Sequence, residues 1–253
     1  MRPLVVLPTY NERQNLPIVL ARLLEIPDVR VLVVDDDSPD GTGAIAELIA
    51  RDSHGRVSVL HRTGPRGLGR AYVDGLKHAL STDADVICQM DADLSHRPTD
   101  LVALLAAVDV GDVVIGSRYV PGGRVLNWPL RRRLLSRAAN WYIHLICSMP
   151  PRDCTSGFRC WRREALAAVP LDRVNANGYA FLVQLLWEVL LSGQKVIEVP
   201  ITFVERELGV SKLRLRVLVE SAWMPWRLLG TRLTIPTIEG PGPVRSKRVS
   251  LSR

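Results

Sequence analysis

Short runs of apolar residues alternate with longer amphipathic segments along the first 115 residues of the chain. The apolar runs predict buried strands at Leu4–Pro8, Arg30–Val34, Val57–Leu60, Asp85–Met90 and Val113–Ile115. Apolar positions three and four residues apart predict helices at about Glu12–Leu24, Ser38–Ala50, Leu68–Leu80 and Pro98–Ala107. This alternation predicts an α/β fold with a mainly parallel central sheet and helices on both faces.

Other local patterns complete the predicted outline. Asn11 followed by Gln14 resembles a capping box, which places the first helix start near Glu12. After Arg118 the pattern predicts a basic helix near 130–147, an apolar helix near 179–192, a returning strand at Lys195–Phe203 and an amphipathic helix at Lys212–Arg232. We expect one domain over residues 1–229. Residues 230–253, rich in glycine, proline and basic side chains, are expected to form a disordered tail.

The composition excludes several classes of protein. Hydrophobic residues make up 47% of the chain, which is enough for a packed core and excludes wholesale disorder. No apolar run approaches the length of about 18 residues that a membrane-spanning helix needs. The N-terminus lacks the pattern of a signal peptide, so we expect a cytoplasmic protein. The four cysteines have no CxxC spacing, which favours reduced thiols over a zinc site.

The net charge of +7 is distributed unevenly. Residues 1–100 contain 11 Lys and Arg against 15 Asp and Glu, a net charge of −4. Residues 101–253 contain 22 against 11, a net charge of +11, so the two halves together account for the total. We therefore expect one part of the protein to bind metal or sugar, and another to meet phosphate, nucleic acid or an anionic membrane.

Acidic residues follow two of the predicted strands. Asp91 and Asp93 come directly after the fourth strand, and their carboxylates lie about 7 Å apart along an extended chain. This spacing suits a hard cation bridged to a diphosphate, although acidic turns are common without any metal. Asp35–Asp37 follow the second strand, where one carboxylate would accept hydrogen bonds from a base or ribose, or where Ser38 or Asp40 caps the next helix.

Other nucleotide and hydrolase motifs are missing. Arg66–Arg70 lacks the third glycine of the dinucleotide-binding fingerprint, and no P-loop or G-x-S-x-G segment occurs. The five histidines contain no H-E-x-x-H pair and are expected to be structural or on the surface. The run Arg131–Arg133, with Arg118 and Arg124 before it, would grip a phosphate or form a solvated helix face. The helix at Lys212–Arg232 fits a membrane interface or a cover for the sheet.

Seven segments occur in an order that resembles one family. They are Pro8–Glu12, Val34–Thr42, Met90–His96, Gly116–Val120, Asn127–Pro129, Thr155–Arg159 and Phe203–Lys212. Together they resemble the polyprenol (dolichol) phosphate mannose synthases, which are inverting family 2 glycosyltransferases with a GT-A (Rossmann-like) fold. The resemblance covers about residues 3–229. The segments that begin at Asn127 and Ser156 are the more specific to the polyprenyl-phosphate branch.

The resemblance implies a role for each matching residue. The guanosine would be held by Pro8, Tyr10, Glu12, Val34 and Asp36. The metal and the diphosphate would be held by Asp91, Ala92 and Asp93, and the donor phosphates also by Arg206 and Lys212. The acceptor phosphate would be held by Arg118, Arg132 and Ser136. Ser95 stands where some members have a metal-ligating Gln, and Gln184 where many have Glu, so Gln184 receives no catalytic role.

The implied reaction moves mannose from GDP-mannose to a polyprenyl phosphate, with Mg²⁺ or Mn²⁺ as cofactor and with Asp93, Arg118 and Arg132 as the catalytic residues. Such an enzyme would be peripheral on the cytoplasmic face of the membrane, with or without a membrane-anchored partner protein. One alternative is the same reaction with UDP-glucose. A distant alternative is a basic nucleic-acid-binding protein without activity, against which the acids at strand ends argue. We therefore expect no nucleic acid among the partners.

Overall fold

A seven-stranded sheet forms the centre of the protein. A computed structural model describes residues 1–176, 178–205 and 215–232. The large sheet contains β1 (Pro3–Thr9), β2 (Arg30–Asp35), β3 (Val57–His61), β4 (Val86–Gln89), β5 (Val113–Ser117), β7 (Arg159–Arg162) and β8 (Val196–Pro200). A second, two-stranded parallel sheet is formed by β6 (Arg124–Leu126) and β9 (Thr202–Val204). The predicted mainly parallel sheet is confirmed.

The strand order of the large sheet is β3-β2-β1-β4-β7-β5-β8. All its strands run parallel except β7, which is antiparallel to both of its neighbours. The chain builds outward from β1 to β3 and then returns to place β4 on the other side of β1. This reversal is a topological switch point, and ligands of such sheets bind beyond the carboxyl ends of the strands there.

Helices cover both faces of the sheet, as predicted. They are α1 (Leu16–Leu24), α2 (Thr42–Asp52), α3 (Leu68–Leu80), α4 (Pro98–Ala107), α5 (Leu130–Cys147), α6 (Arg163–Ala167), α7 (Gly178–Leu191) and α8 (Leu215–Arg232), with a 3-10 turn at Leu171–Arg173. Successive residues of β1 point to opposite faces. Val5 and Leu7 pack into the core under α1, α2 and α4, whereas Leu4 and Val6 pack into the core under the other five helices.

Three details of the predicted outline are wrong. The second helix begins at Thr42 and not at Ser38. The first helix begins at Leu16 and not near Glu12, because Asn11 adopts a left-handed conformation (φ 56°) and Pro17 favours a start at the first helical turn. No capping box forms at Asn11. The predicted strand Lys195–Phe203 is two strands, β8 and β9, because the chain leaves the large sheet at Ile201.

Further segments differ from the outline or fall outside it. Strands β6 and β7 and helix α6 have no counterpart among the predicted elements. The predicted boundary at residue 229 falls within α8, which continues to Arg232, and residues 233–253 lie outside the described residues. Among the helices that the structure describes, none is both long and apolar enough to cross a membrane.

Candidate active site

The loop after β4 places two carboxylates at the switch point. The hydroxyl of Tyr72, on α3, donates a hydrogen bond of 2.8 Å to Oδ1 of Asp91. The backbone N–H of Asp91 donates to Nδ1 of His96 at 3.2 Å, and the N–H of Ser95 donates to Oδ1 of Asp93 at 3.1 Å. Burial, together with the charges of Asp91 and Asp93, raises the pKa of Tyr72 well above its ordinary value, so the phenol remains a donor.

His96 is buried beneath this loop, in agreement with the expected structural role of the histidines. Its ring stacks on Phe158 at 5.0 Å and meets the edge of Phe203 at 5.3 Å. Burial lowers the pKa of His96, so the imidazole is neutral and its Nδ1 can accept the Asp91 N–H. The side chain therefore supports the backbone of the acidic loop from below.

The acidic loop fits a divalent cation that shares its ligands with a substrate. Asp91 and Asp93 supply hard carboxylate oxygens, which Mg²⁺ and Mn²⁺ accept. Within the described residues, no third His, Cys, Asp or Glu completes a metal-binding cluster. The Oγ of Ser95 is buried and has no hydrogen-bond partner in the described part of the chain, so it suits a ligand or a ligand-bound water. A cation here would need further oxygens from a diphosphate and from water.

The three acids at the end of β2 and directly after it accept hydrogen bonds from three different sets of donors. Oδ1 of Asp35 accepts a hydrogen bond of 3.3 Å from Thr9 Oγ1, on β1. Asp36 forms a buried ion pair with Arg62, and its Oδ2 accepts from the Gly67 N–H at 2.7 Å, at the start of α3. A carboxylate at that helix end is favourable for the helix dipole. Asp36 thus has a structural role whatever it does for a nucleotide.

Asp37 belongs to the exposed side of the same cluster. Arg66 donates to its Oδ2 at 2.6 Å, and the Arg66 guanidinium lies 5.1 Å from the centroid of the Tyr10 ring. Arg66 also donates to the Tyr10 hydroxyl at 3.2 Å. The predicted cap at Ser38 or Asp40 is wrong, because the N-cap of α2 is Gly41, although Oδ1 of Asp40 accepts a hydrogen bond of 3.0 Å from the Thr42 N–H.

The residues predicted to hold guanosine lie at one edge of the sheet. Pro8 and Val34 are paired in register near the carboxyl ends of β1 and β2. Tyr10 and Glu12 follow β1, and the Glu12 N–H donates to Thr42 Oγ1 at 2.9 Å. Together with Asp36, these five predicted residues lie at or just beyond the carboxyl ends of β1 and β2, the side of the sheet on which ligands bind at a switch point.

A second charged cluster lies after β5. Arg118 is buried, and its Nε and Nη2 donate to the two oxygens of Asp153 at 2.7 and 2.6 Å. Its Nη2 also donates to Thr155 Oγ1 at 2.7 Å. Burial alone would raise the pKa of Asp153, but the nearby Arg118 outweighs burial, and the pKa lies below its ordinary value. The pair is therefore ionised at neutral pH.

One indole ring brings the two predicted acceptor arginines together. The guanidinium of Arg118 lies 5.7 Å from the Trp128 ring centroid, and that of Arg132 lies 4.1 Å from it. Arg132 also forms an ion pair with Glu205. Phe203 links this cluster to the acidic loop, because its ring contacts both Trp128 at 5.2 Å and His96 at 5.3 Å.

The first turns of α5 complete this cluster. Ser136 lies one turn after Arg132, and its Oγ accepts a hydrogen bond of 2.7 Å from the Tyr119 hydroxyl. The first turn contains Arg131–Arg133 and no acidic residue. Cations at the N-terminal end of a helix oppose its dipole, so a bound anion would relieve an unfavourable arrangement.

A family model described as "Glycosyl transferase family 2" matches residues 4–169. This chain belongs to glycosyltransferase family 2. The polyprenol monophosphomannose synthase of Mycolicibacterium smegmatis is 51% identical over 214 residues, which are 84% of this chain and 81% of that protein. The undecaprenyl-phosphate mannosyltransferase of Micrococcus luteus is 47% identical over 84% of this chain and 88% of its own. The dolichol-phosphate mannosyltransferase of Pyrococcus furiosus is 38% identical over 90% of this chain and 64% of its own.

Solved structures show the same fold as this family 2 transferase. Mannosyl-3-phosphoglycerate synthase from Rubrobacter xylanophilus matches with a TM-score of 0.66 at 22% identity, over 92% of this chain and 74% of its own. Glucosyl-3-phosphoglycerate synthase from Mycobacterium tuberculosis, in complex with Mn²⁺, UDP-glucose and phosphoglyceric acid, matches with a TM-score of 0.63 at 21% identity, over 93% and 81% of the two chains. The GT-A fold predicted from the sequence is confirmed.

Some predicted site residues of the transferase cannot be placed, and some contacts were not predicted. Arg206 and Lys212 lie outside the described residues. Gln184 is buried in α7, where its amide bonds the backbone of residues 173, 175 and 176. Sequence reasoning missed Arg62, Arg66, Tyr72, Asp153 and Glu205 as partners of site residues. Of these, Arg66 lies in the segment Arg66–Arg70 and Glu205 in the segment Phe203–Lys212, both singled out from the sequence, but neither was given a role.

Proposed function

We propose that the protein transfers a mannosyl group from GDP-mannose to a polyprenyl monophosphate and inverts the configuration at C1. The observation that carries the proposal is the short chain of aromatic contacts from His96 through Phe203 to Trp128. It sets the acidic loop, suited to a nucleotide diphosphate, beside two arginines suited to a second phosphate. The names of the relatives at 51%, 47% and 38% identity support mannose and a polyprenyl acceptor.

The arrangement supports a direct displacement. An oxygen of the acceptor phosphate, already anionic, forms the bond to C1 while the bond from C1 to the donor's β-phosphate oxygen breaks, and GDP leaves with the electron pair. Because the nucleophile needs no strong base, the main task of Arg118, Arg132 and Ser136 is to hold it in line with C1. Asp91 and Asp93 would hold a divalent cation, and that cation would stabilise the charge that develops on GDP.

The metal proposal can be tested apart from catalysis. We propose Mg²⁺ or Mn²⁺ at Asp91 and Asp93, with Ser95 nearby, and the Mn²⁺ complex of a structurally similar transferase supports this choice. Electron paramagnetic resonance of Mn²⁺ should show GDP-dependent binding to the wild type and little to Asp91→Asn. Equal Mn²⁺ binding by both proteins would contradict the assignment.

A transfer assay tests the whole proposal. Radiolabelled GDP-mannose and UDP-glucose are supplied in parallel, each with polyprenyl phosphate and Mg²⁺ or Mn²⁺. We expect lipid-extractable label from GDP-mannose and little from UDP-glucose. The reverse preference would select the glucosyl alternative, and no transfer from either donor would overturn the proposal.

We further propose that the outer face of α5 and α8 docks on an anionic membrane. Its exposed apolar side chains are Leu130, Leu134, Leu135, Trp141 and Leu145 on α5, with Trp223 and Trp226 on α8. The two helices are joined by Tyr142, whose hydroxyl donates to the Ala222 carbonyl at 2.8 Å. Exposed Arg131, Arg133 and Arg137 add positive charge to the same helix, which favours anionic lipid headgroups.

Sedimentation with vesicles tests this surface. The wild type should sediment with vesicles that contain 30% anionic lipid, and the double substitution Trp141→Glu with Leu145→Glu should abolish most of the binding. Leu48→Glu is the matched control, because Leu48 is also exposed but lies on α2, at the opposite face of the sheet. Equal loss in the control, or none in the double variant, would contradict the proposal. A peripheral position on the cytoplasmic face and a membrane-anchored partner stay predictions.

A further inference from the structure

Arg118 and Arg132 contact the same indole but are paired with carboxylates in very different settings. The Arg118 and Asp153 side chains are 7% and 0% exposed, whereas those of Arg132 and Glu205 are 33% and 26% exposed. The first pair is enclosed in protein. The second is partly exposed to solvent.

The contact of Arg118 with Asp153 is stable because several hydrogen bonds hold it. Asp153 accepts from Nε, from Nη2 and from the backbone N–H of Arg118, all within 3.0 Å. Separating these groups would strip a fully buried carboxylate of three hydrogen bonds from Arg118, which is strongly unfavourable. Asp153 thus holds Arg118 in place and does not leave when a ligand binds.

The contact of Arg132 with Glu205 is weak enough for a ligand to replace the carboxylate. Within the described residues it joins one atom pair, Nη1 of Arg132 and Oε1 of Glu205. The backbone of Glu205 is anchored independently, because its N–H donates to the Leu126 carbonyl at 3.2 Å. Loss of this one contact would therefore leave the pairing of β6 with β9 intact, and Arg132 would keep its separate contact with the Trp128 ring.

We infer that Glu205 is an internal competitor for the phosphate subsite at Arg132. This inference rests on the proposed function, in which Arg132 receives the acceptor phosphate. A monoester phosphate carries nearly two negative charges at neutral pH and displaces the single charge of the carboxylate. The diester product carries one charge, so the returning Glu205 competes with it more effectively. Glu205 lowers the affinity for both lipids and thereby favours release of the product.

Binding measurements distinguish a competitor from a supporting residue. The probe is geranyl monophosphate, titrated calorimetrically into the full chain without donor. A binding site that is partly occupied by its own carboxylate has a reduced apparent affinity. Since a partly exposed ion pair is weak, we expect Glu205→Gln to bind the probe about two- to five-fold more tightly than the wild type. Glu205→Ala should change the affinity in the same direction.

Two controls assign the effect to the Arg132 contact. Glu164→Gln removes an exposed carboxylate on α6 and should leave the affinity unchanged. In an Arg132→Ala background, Glu205→Gln should give no gain, since the group for which it competes is absent. Inhibition of transfer by the mannosylated product should strengthen in Glu205→Gln.

The outcomes separate this inference from the proposed function. Weaker or unchanged probe binding in Glu205→Gln would show a supporting role and overturn the inference alone. An equal gain in probe affinity in Glu164→Gln, or a gain in Glu205→Gln that persists without Arg132, would show that the effect comes from the overall charge of the protein. Either result would also overturn the inference. A wild type that binds no geranyl monophosphate and transfers no mannose would overturn the proposed function itself.

Discussion

The donor edge of the site follows β1 and β2, and the acceptor edge follows β5. Each edge has one buried ion pair and one more exposed ion pair, but the predicted site residue of the buried pair is acidic at the donor edge and basic at the acceptor edge. At the donor edge, Asp36 and Arg62 form a buried pair, 7% and 6% exposed, while Asp37 and Arg66 form an open pair, 71% and 47% exposed. The acceptor edge repeats this division. There, Arg118 forms a buried ion pair with Asp153, and Arg132 forms a partly exposed ion pair with Glu205.

The difference between buried and open pairs is more instructive than the difference in sign. A buried pair cannot separate without a large penalty, so it fixes loops. An open pair contributes little to stability and is available for exchange with a ligand. Each edge therefore has one enclosed pair whose geometry is fixed and one more exposed pair that can exchange with a ligand, and the following predictions test that division.

The largest effect should come from the acidic loop that serves the donor edge alone. Asp93→Ala should lower kcat for mannosyl transfer by about 10³-fold or more, because charge on the departing diphosphate loses its counter-ion. The melting temperature and the affinity for geranyl monophosphate should stay near those of the wild type. Near-normal turnover at saturating Mn²⁺ would contradict the role of the acidic loop in binding the donor.

The buried acceptor pair should matter most for stability. Asp153→Ala removes the buried carboxylate that accepts three hydrogen bonds from Arg118 and should lower the free energy of unfolding by about 3–5 kcal/mol. The open pair gives the contrast, because Glu205→Gln should cost less than about 1 kcal/mol. Urea denaturation measures both values, and similar losses would refute the proposed division.

Acid should weaken the same buried pair without any substitution. Because the pKa of Asp153 in the folded protein is lowered, the unfolded chain binds the proton more readily. The pair therefore contributes stability above the ordinary pKa of 3.8 and loses it as pH falls through the lowered value. Thermal melts between pH 7 and pH 3 should show a steeper acid loss in the wild type than in Asp153→Asn.

Arg132→Ala should separate the two substrates. Loss of one or more charge-assisted hydrogen bonds, at about 1.5–3 kcal/mol each, should raise KM for polyprenyl phosphate by about 10- to 100-fold. The dissociation constant of GDP-mannose, measured without acceptor, should change little. Equal losses for both substrates would mean that the edges are not independent.

The smallest effect should come from the open donor pair. Arg66→Ala removes a cation from the face of Tyr10 and should weaken GDP binding by about two- to five-fold, with an unchanged melting temperature. Arg70→Ala, four residues further on α3, is a control of equal charge change. A loss of GDP binding in both variants would point to overall charge and not to the contact with Tyr10.

The strands that the sequence predicts correctly are those that contain a run of apolar residues. Strand β7 is different, because its four residues Arg-Cys-Trp-Arg begin and end with charge and resemble a loop. Only its place between β4 and β5 makes it a strand. The acidic loop after β4 was predictable for a related reason. A strand end and a D-x-D pattern can both be recognised from neighbouring residues in the sequence.

The partners of the site residues were not predictable, because they come from distant parts of the chain. Asp153 lies 35 residues from Arg118, and Glu205 lies 73 residues from Arg132. No local spacing marks either acid as a partner. The sequence therefore indicates which residues carry charge at each edge, whereas only the tertiary structure shows which charges are enclosed and which remain open.

The reversed direction of β7 also has a consequence for the order of folding. Strand β4 carries the acidic loop, and its second neighbour in the sheet is β7, whose Trp161 lies 72 residues from the Gln89 side chain that it bonds. During synthesis, β4 is therefore an exposed sheet edge until residues 159–162 have left the ribosome. The donor half can assemble first, but the acidic loop gains its final support only when the strand that carries the acceptor-side loop arrives.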